Sequence, residues 1–192
     1  MPFQSLSRWQ SLPPCANAQD HRRPITETAS RVCIAFAAAC PAASGHLVVT
    51  PGNETDFDEI ESDVRQLCSR YNVVSAGYDP WQSAQMSQRL RGEGVPMHEF
   101  RATTQNFSPA IIELDAAMRA GRLRHDGNPV LTWCLGNVVG KADRRGNLYP
   151  TKSRPDQKID AAIALMMAIG RAMVEDEQAK GLEGFLANPI FG

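Results

Sequence analysis

Residues 73–81, VVSAGYDPW, decide the fold class of this chain. An uncharged, largely apolar run ends at Asp79 and Pro80, which is typical of a buried strand that stops at a turn. The pair Thr55 and Asp58 has capping-box spacing and opens an apolar period that predicts an amphipathic helix over residues 56–71. Residues 46–50 predict a strand before that helix. Strand, helix and strand in this order predict an α/β fold with a parallel sheet.

The remaining elements follow from local signals. After the strand at 73–78, we predict helices at 81–91, from the cap at Ser108 to Gly121, at 128–137 and at 157–176. A strand is predicted at 97–100, and a hairpin joins 138–142 to 147–151. Residues 1–44 are rich in proline and show no sustained period, apart from a short strand or helix within 31–39.

These signals divide the chain into three parts. We predict an atypical, disordered segment at 1–44, a domain at 45–176 and a tail at 177–192. The composition, with 43% apolar and 21% charged residues, is that of a soluble globular protein. The five cysteines form no C-x-x-C pair, and no apolar run is long enough to span a membrane. We therefore expect a reduced, cytoplasmic protein with no membrane partner.

The distribution of charge is more informative than the net charge of −1. Residues 51–80 hold seven acidic and two basic side chains, whereas residues 101–159 hold ten basic and five acidic ones. The basic stretch is expected to meet phosphates, and a solvated mixed surface is an equally good interpretation. Among its cations we single out five as candidate nucleic-acid contacts, which lie on or just after the hairpin: Arg144, Arg145, Lys152, Arg154 and Lys158.

Two acids are candidate catalytic residues. Asp79 follows a predicted strand at the sheet edge where α/β proteins place their sites, although an Asp before Pro also starts a turn. Asp160 opens the last predicted helix, where an acid also complements the helix dipole. Together they suit phosphodiester cleavage with two divalent ions, and oxygen ligands favour Mg²⁺ or Mn²⁺. His125 and Asp126 are weaker accessory candidates, since such a dipeptide is usually surface loop.

Four ordered motifs resemble a known family. The runs are TPGN at 50–53, YDPW at 78–81, GRLRHDGNPVL at 121–131 and KID at 158–160, the last followed by MA and GRA at 167–172. They are similar to the C-terminal nuclease domain of tailed-phage terminase large subunits. The resemblance implies a ribonuclease-H-like mixed sheet flanked by helices, and two-metal endonuclease cleavage of double-stranded DNA during genome packaging. It implies that Asp79 and Asp160 are two of three metal-binding acids.

The chain departs from this family in two respects. The family's third acid lies on its first strand, upstream of the TPGN turn, and the chain has no acid there. The usual ATPase domain is also absent, and no P-loop motif predicts ATP hydrolysis. We therefore expect a fold that lacks its usual first strand. By resemblance the partners are double-stranded DNA, the terminase small subunit and the portal. The alternatives are a truncated, catalytically inactive prophage remnant that at most binds DNA or packaging partners, and a decayed product without activity.

Overall fold

The computed structural model describes residues 32–35, 55–123 and 127–187, with the backbone alone for 32–35 and 177–187. The predicted strand at 46–50 and the TPGN turn lie outside these ranges. Within them, strands and helices alternate through the first part of the chain, and a hairpin precedes the last helix. The elements are β1 (Val32–Ala35), α1 (Phe57–Arg70), β2 (Val73–Tyr78), α2 (Ala84–Gly92), β3 (Met97–Glu99), α3 (Thr104–Arg119), α4 (Pro129–Gly136), β4 (Val138–Ala142), β5 (Leu148–Lys152) and α5 (Asp160–Ala187).

A three-stranded parallel sheet is formed by β1, β2 and β3, with β2 in the middle. The sequence predicted that the first strand of the fold is missing. Instead, β1 lies beside β2, with Ile34 opposite Ala76. It falls within the segment at 31–39 for which the sequence left strand or helix open, and inside the part predicted to be disordered. None of its four residues is acidic. The described chain therefore has a strand upstream of α1, but one without a carboxylate.

The last helix packs across this sheet, against β1 and β2. Its direction follows from two close approaches to Gly77, where an added Cβ would lie 3.2 Å from Cγ of Arg171 and 3.9 Å from Cβ of Met167. Further back on β2, the Arg171 Nε donates to the Ser75 Oγ over 2.9 Å. A higher residue number on α5 thus meets a lower one on β2. The helix runs antiparallel to the strand, and its first residue lies at the carboxyl edge of the sheet.

Two apolar cores flank the sheet. The larger core joins α3, α4 and α5 to the hairpin and includes the fully buried Phe107, Ile111 and Leu135. The smaller core lies among α1, α2, β2 and β3, around Val64 and Leu90. Burial of large apolar side chains contributes roughly 1.5–3 kcal/mol each. The start of α5 meets the smaller core at the carboxyl edge of the sheet.

Most predicted elements are confirmed, and the largest error concerns the start of α3. The sequence placed its cap at Ser108, whereas the Thr103 side chain caps the helix by accepting from the Asn106 N–H over 3.3 Å. Ser108 is buried, and its hydroxyl accepts from the Leu148 N–H on the hairpin over 3.0 Å. Pro109 therefore lies inside the helix. A long-range hydrogen bond holds the serine, which no local pattern predicts.

The ends of two other helices also differ from prediction. Asp56, rather than Thr55, caps α1, because its Oδ1 accepts from the N–H groups of Asp58 and Glu59 at 3.0 and 3.2 Å. The last helix continues to Ala187, past the predicted boundary at 176. Most of the predicted tail at 177–192 is therefore helical. Its residues are mainly good helix formers, and two glycines are tolerated.

An ion-pair cluster holds α1 against α2. Glu61 is 3% exposed and accepts from the Arg65 Nη2 at 2.9 Å and from the Arg89 Nε at 2.7 Å. Arg65 also contacts Glu93 at 2.6 Å, just beyond the end of α2. The hydrogen bond from Arg89 is the main reason that the pKa of Glu61 is lowered from its ordinary value of 4.5, and Arg65 adds to the shift. The buried carboxylate is stable because both arginines face it.

Gly170 fits α5 against the rest of the domain. A Cβ at this position would lie 2.6 Å from a ring carbon of Phe100, which is itself buried against Phe107 with ring centroids 5.2 Å apart. We expect Gly170→Ala to lower the free energy of unfolding by roughly 1–2 kcal/mol, because the clash outweighs the gain in helix propensity. Urea unfolding measures this. Gly136→Ala on α4, where an added Cβ would meet no atom within 4 Å beyond its neighbours and its own helix backbone, is the matched control and should be neutral or stabilising.

The lowered pKa of Glu61 predicts a dependence of stability on pH. Because the folded-state pKa is below the unfolded one, this carboxylate stabilises the fold above about pH 4.5, and the contribution is lost as the pH falls through the folded-state pKa. Glu61→Gln should lower the free energy of unfolding at pH 7 by roughly 1.5 kcal/mol. Its stability curve should also be flatter below about pH 4.5.

Glu113→Gln is the control for this experiment. It removes a Glu–Arg pair to Arg122 at 2.8 Å that is more exposed to solvent, so it should cost less than ~1 kcal/mol. Equal losses at pH 7 for Glu61→Gln and Glu113→Gln would contradict the role assigned to the Glu61 cluster.

Candidate active site

A cleft of about 320 Å³ opens between α1, β2 and the start of α5. Asp79 and Asp160 both line it, so the structure brings together the two acids that the sequence singled out. They meet because β2 ends, and α5 begins, at the same edge of the sheet. Most of the remaining wall is apolar and includes Phe57, Ile60 and Met167. Two carboxylates therefore lie in a cleft with mainly apolar walls.

The loop that carries Asp79 is tightly bonded. Its Oδ1 accepts from the Trp81 N–H over 3.0 Å, and its carbonyl accepts a hydrogen bond from the Ser83 hydroxyl. Gln82 between them has a φ of 59°, the one positive value for a non-glycine residue in the described part of the chain. The structural interpretation of Asp79 as the start of a turn is thus correct. It does not compete with a site role, since the exposed carboxylate still faces the cleft.

Asp160 is placed by the chain just before it. Asn137, at the end of α4, is buried, and its Nδ2 donates to the carbonyl of Lys158 over 3.0 Å. Ile159 is buried in the larger core, which leaves the next residue, Asp160, at the surface of the cleft. Asn137 is therefore a positioning residue for α5. In the sequence, Asn137 was only the last residue of the helix predicted at 128–137.

Arg171 fixes the other end of the contact between α5 and β2. In addition to its bond to Ser75, its Nη2 contacts Glu175 at 2.7 Å, and both side chains are largely shielded from solvent. His98 on β3 lies near this charge. Its pKa is lowered mainly by burial and further by the positive charge of Arg171. None of these four side chains lines the cleft, and the bond from Arg171 to Ser75 positions α5 against β2.

The donor set of the cleft suits a hard divalent cation. Carboxylate oxygens are the ligands that Mg²⁺ and Mn²⁺ prefer, and Mg²⁺ is usually bound by one or two carboxylates completed by water and substrate phosphates. In residues 32–35, 55–123 and 127–187, no three His, Cys, Asp or Glu side chains come together as a metal site. Asp79 and Asp160 therefore fit a metal that takes further ligands from outside the described chain.

The five predicted DNA contacts divide into two groups. Arg144 and Arg145 lie at the tip of the hairpin, where they face the first turns of α3 across a hollow of about 870 Å³. Lys152 lies at the other end of β5, opposite Val138. A strand of five residues spans about 17 Å, so the hairpin separates the groups. The second group, on the Asp160 side, consists of Lys152, Arg154 and Lys158.

These five cations are exposed, and Arg154 lies 3.8 Å from Asp156 in a loose ion pair. The accessory candidates His125 and Asp126 lie outside the described residues. A residue that the sequence did not single out joins the site instead. Trp81, interpreted from sequence only as the start of a helix, lies in a turn before α2 and lines the cleft with both acids. Its position in the YDPW run, directly after Asp79 and Pro80, was the available signal.

Both cleft acids lie in a stretch of the chain that matches known proteins. Positions 42–176 match the family described as terminase large subunit, endonuclease domain. The chain belongs to this family. Protein YmfN of Escherichia coli strain K12 is 37% identical over 136 residues, which are 70% of this chain and 30% of that protein. The terminase large subunit of Enterobacteria phage HK97 is 31% identical over 149 residues, 76% of this chain and 30% of that protein.

Solved structures show the same fold. The crystal structure of the HK97 large terminase aligns with a TM-score of 0.60 at 31% identity, covering 66% of this chain and 27% of that one. The large terminase nuclease of thermophilic phage G20c, solved with bound magnesium, aligns with a TM-score of 0.50 at 15% identity. The alignment covers 62% of this chain and 64% of that one. The expected ribonuclease-H-like terminase nuclease fold is thus confirmed. The chain spans about 30% of the length of its two curated relatives.

No helix in the part of the chain that the structure describes is long and apolar enough to cross a membrane. The chain thus combines a terminase nuclease fold, a cleft shared by Asp79 and Asp160, and exposed cations that precede Asp160 in sequence.

Proposed function

We propose that this terminase nuclease domain cleaves phosphodiester bonds of double-stranded DNA during genome packaging, with a divalent metal ion held between Asp79 and Asp160. The observation that carries the proposal is that both carboxylates line one cleft, although they are far apart in sequence. The family match supports cleavage as the activity. The magnesium bound in the G20c nuclease supports the class of metal.

Each residue has a defined part in this proposal. Asp79 and Asp160 hold the metal, which when bound supplies positive charge to the reacting phosphate and lowers the pKa of a bound water. The hydrogen bonds of the turn after Asp79 keep that carboxylate in place before the DNA arrives. Preorganisation of this kind lowers the cost of aligning the reacting groups. The apolar wall of the cleft limits the water that competes for these charges.

The cations beside Asp160 give the DNA its position. Lys152, Arg154 and Lys158 are exposed and precede the first residue of α5. In this proposal they contact backbone phosphates on either side of the one that is cut. Such contacts orient a duplex without selecting a sequence. Arg144 and Arg145 contact the duplex farther along, at the other end of the hairpin. Two separated groups hold the axis of the duplex better than one group of the same charge.

Supercoiled plasmid tests the cleavage proposal. The full chain should nick it with Mn²⁺ or Mg²⁺ and should not do so in chelator. Asp79→Asn and Asp160→Asn should each lower the rate at least about 100-fold, since even groups outside the metal's ligand shell affect metal sites 10–100-fold. Asparagine keeps the hydrogen bond to the Trp81 N–H and removes only the charge. The control is Asp176→Asn, an exposed acid on the same helix about 24 Å from Asp160 at 1.5 Å per residue, which should leave the rate unchanged.

Binding of DNA without cleavage is a second candidate function, and one observation favours it. The described residues provide two carboxylates and no cluster of three metal-ligating side chains. If the wild-type chain does not nick plasmid with either metal yet binds duplex, this second function replaces the first. The terminase small subunit and the portal, expected from the resemblance, remain proposed partners of either activity.

The two groups of cations predict different reductions in DNA binding. Replacing Lys152, Arg154 and Lys158 together by alanine should weaken duplex binding and reduce the slope of log K against log salt by up to about 0.9 for each phosphate that is no longer neutralised. It should also slow cleavage, because these residues lie on the Asp160 side. Arg144→Ala with Arg145→Ala should reduce the slope but affect cleavage less.

Arg119→Ala with Arg122→Ala is the control for these variants. Both arginines are paired with acids on α3, Arg119 with Asp115 and Arg122 with Glu113, and should not contribute. Salt slopes that are identical for the wild type and for the two variant groups would rule out both contact surfaces.

A further inference from the structure

Trp81 is the most exposed large apolar side chain in the described residues, at 77%. Burying an aromatic side chain of this size stabilises a fold by several kcal/mol, so an exposed tryptophan leaves much apolar surface unused. Trp81 lies at the wall of the cleft that holds Asp79 and Asp160. The unused surface is therefore located where the proposed substrate binds.

The turn holds the backbone of Trp81 in a fixed position. The N–H of Trp81 itself is bonded to Asp79, and the Ser83 hydroxyl closes the turn on the carbonyl of Asp79. Gln82 holds the left-handed conformation that the sharp reversal requires. A fixed backbone lowers the entropy lost when the indole contacts a ligand, because only the side chain has to be ordered. The same loop thus holds a carboxylate and an aromatic face together.

We propose that Trp81 stacks on a base of the DNA strand next to the phosphate that is cut. The proposal rests on the proposed function, which places that phosphate at Asp79 and Asp160. Bases follow one another about 3.4 Å apart along a strand, so the nucleotide beside the reacting one lies within reach of the residue two positions after Asp79. An indole face accepts any base, which agrees with cutting without sequence selection.

The stacking contact determines the kind of DNA that the site prefers. In an intact duplex both faces of each base are covered by its neighbours. A base reaches Trp81 only after it leaves the stack, which costs a few kcal/mol, less where it is already unpaired. The site therefore favours strands that are unpaired near the cut, such as single strands, gaps and frayed ends. Trp81 is a positioning residue that offsets part of the cost of opening a duplex.

An exposed tryptophan is also common at protein interfaces, where it fills a pocket on the partner. DNA is the favoured occupant because Trp81 shares its cleft with the two proposed metal ligands. A protein seated on the indole would cover the same carboxylates. If DNA is the occupant, Trp81→Ala weakens DNA binding; if a protein is the occupant, Trp81→Ala leaves DNA binding unchanged.

The experiment uses the full chain with Ca²⁺, a hard cation that binds oxygen ligands and stands in for Mg²⁺ while the strands are checked to stay uncut, and with a short single strand and a duplex of the same sequence. Trp81→Ala should weaken single-strand binding at least about fivefold, the low end for one stacked base, and Trp81→Phe should retain most of the affinity. The duplex should be affected less. The single strand should quench the tryptophan fluorescence of the wild type, and the quenching should disappear in Trp81→Phe. Trp133→Phe, on α4 and 47% exposed, is the matched control and should keep it.

Unchanged single-strand affinity in Trp81→Ala, quenching that persists in Trp81→Phe, or no binding of either DNA by the wild type would overturn the proposal. If Trp81→Ala binds DNA normally but no longer binds a packaging protein, the indole is a protein contact instead. Plasmid nicking separates this result from the first proposal. Nicking that depends on Asp160 but not on Trp81 refutes only the stacking. Quenching by DNA without any nicking refutes only the cleavage.

Discussion

The register of α5 on β2 is the constraint on which the site depends. Two successive residues set it, Gly170 by its close approach to Phe100 and Arg171 by its hydrogen bond to Ser75. From that point the helix is a rigid rod whose first residue, Asp160, lies about 16 Å away at 1.5 Å per residue. A slip of one residue would rotate every side chain by about 100° and turn Asp160 out of the cleft. The geometry of the carboxylates is therefore decided far from them.

The local elements could be predicted because their signals are local. The strand β2 has the predicted bounds, and α4 begins and ends within a residue of its prediction, with Asn128, the predicted first residue, as its cap. The start of α3 could not be predicted in this way. Ser108 and Pro109 resemble a helix start, but the hairpin 40 residues later provides the partner that holds Ser108 inside the helix. A tertiary hydrogen bond here overrides a local preference.

The residues of the candidate site were predictable one by one from local patterns, whereas only the family resemblance indicated that the two acids lie together. Each acid has a structural explanation that the structure supports, because Asp79 begins a turn and Asp160 is the first residue of a helix. Neither explanation excludes the other role. What the sequence cannot give is the direction of α5, which brings the acids to one cleft. The five candidate cations are also close in sequence but not in space. The antiparallel hairpin places Arg144 and Arg145 at its tip and Lys152 at its other end.

Under the proposed function, a site with only two described carboxylates couples the binding of the metal to the binding of DNA. A divalent ion held by Asp79 and Asp160 must complete its coordination with water and phosphate oxygens. The DNA phosphate is therefore both the substrate and a ligand of the metal. Bound metal raises the affinity of the chain for DNA, and bound DNA raises its affinity for the metal by the same factor. The cations beside Asp160, by holding the DNA backbone, then strengthen the binding of a positive ion that they would otherwise repel. A site with few acids depends on its DNA contacts for its metal.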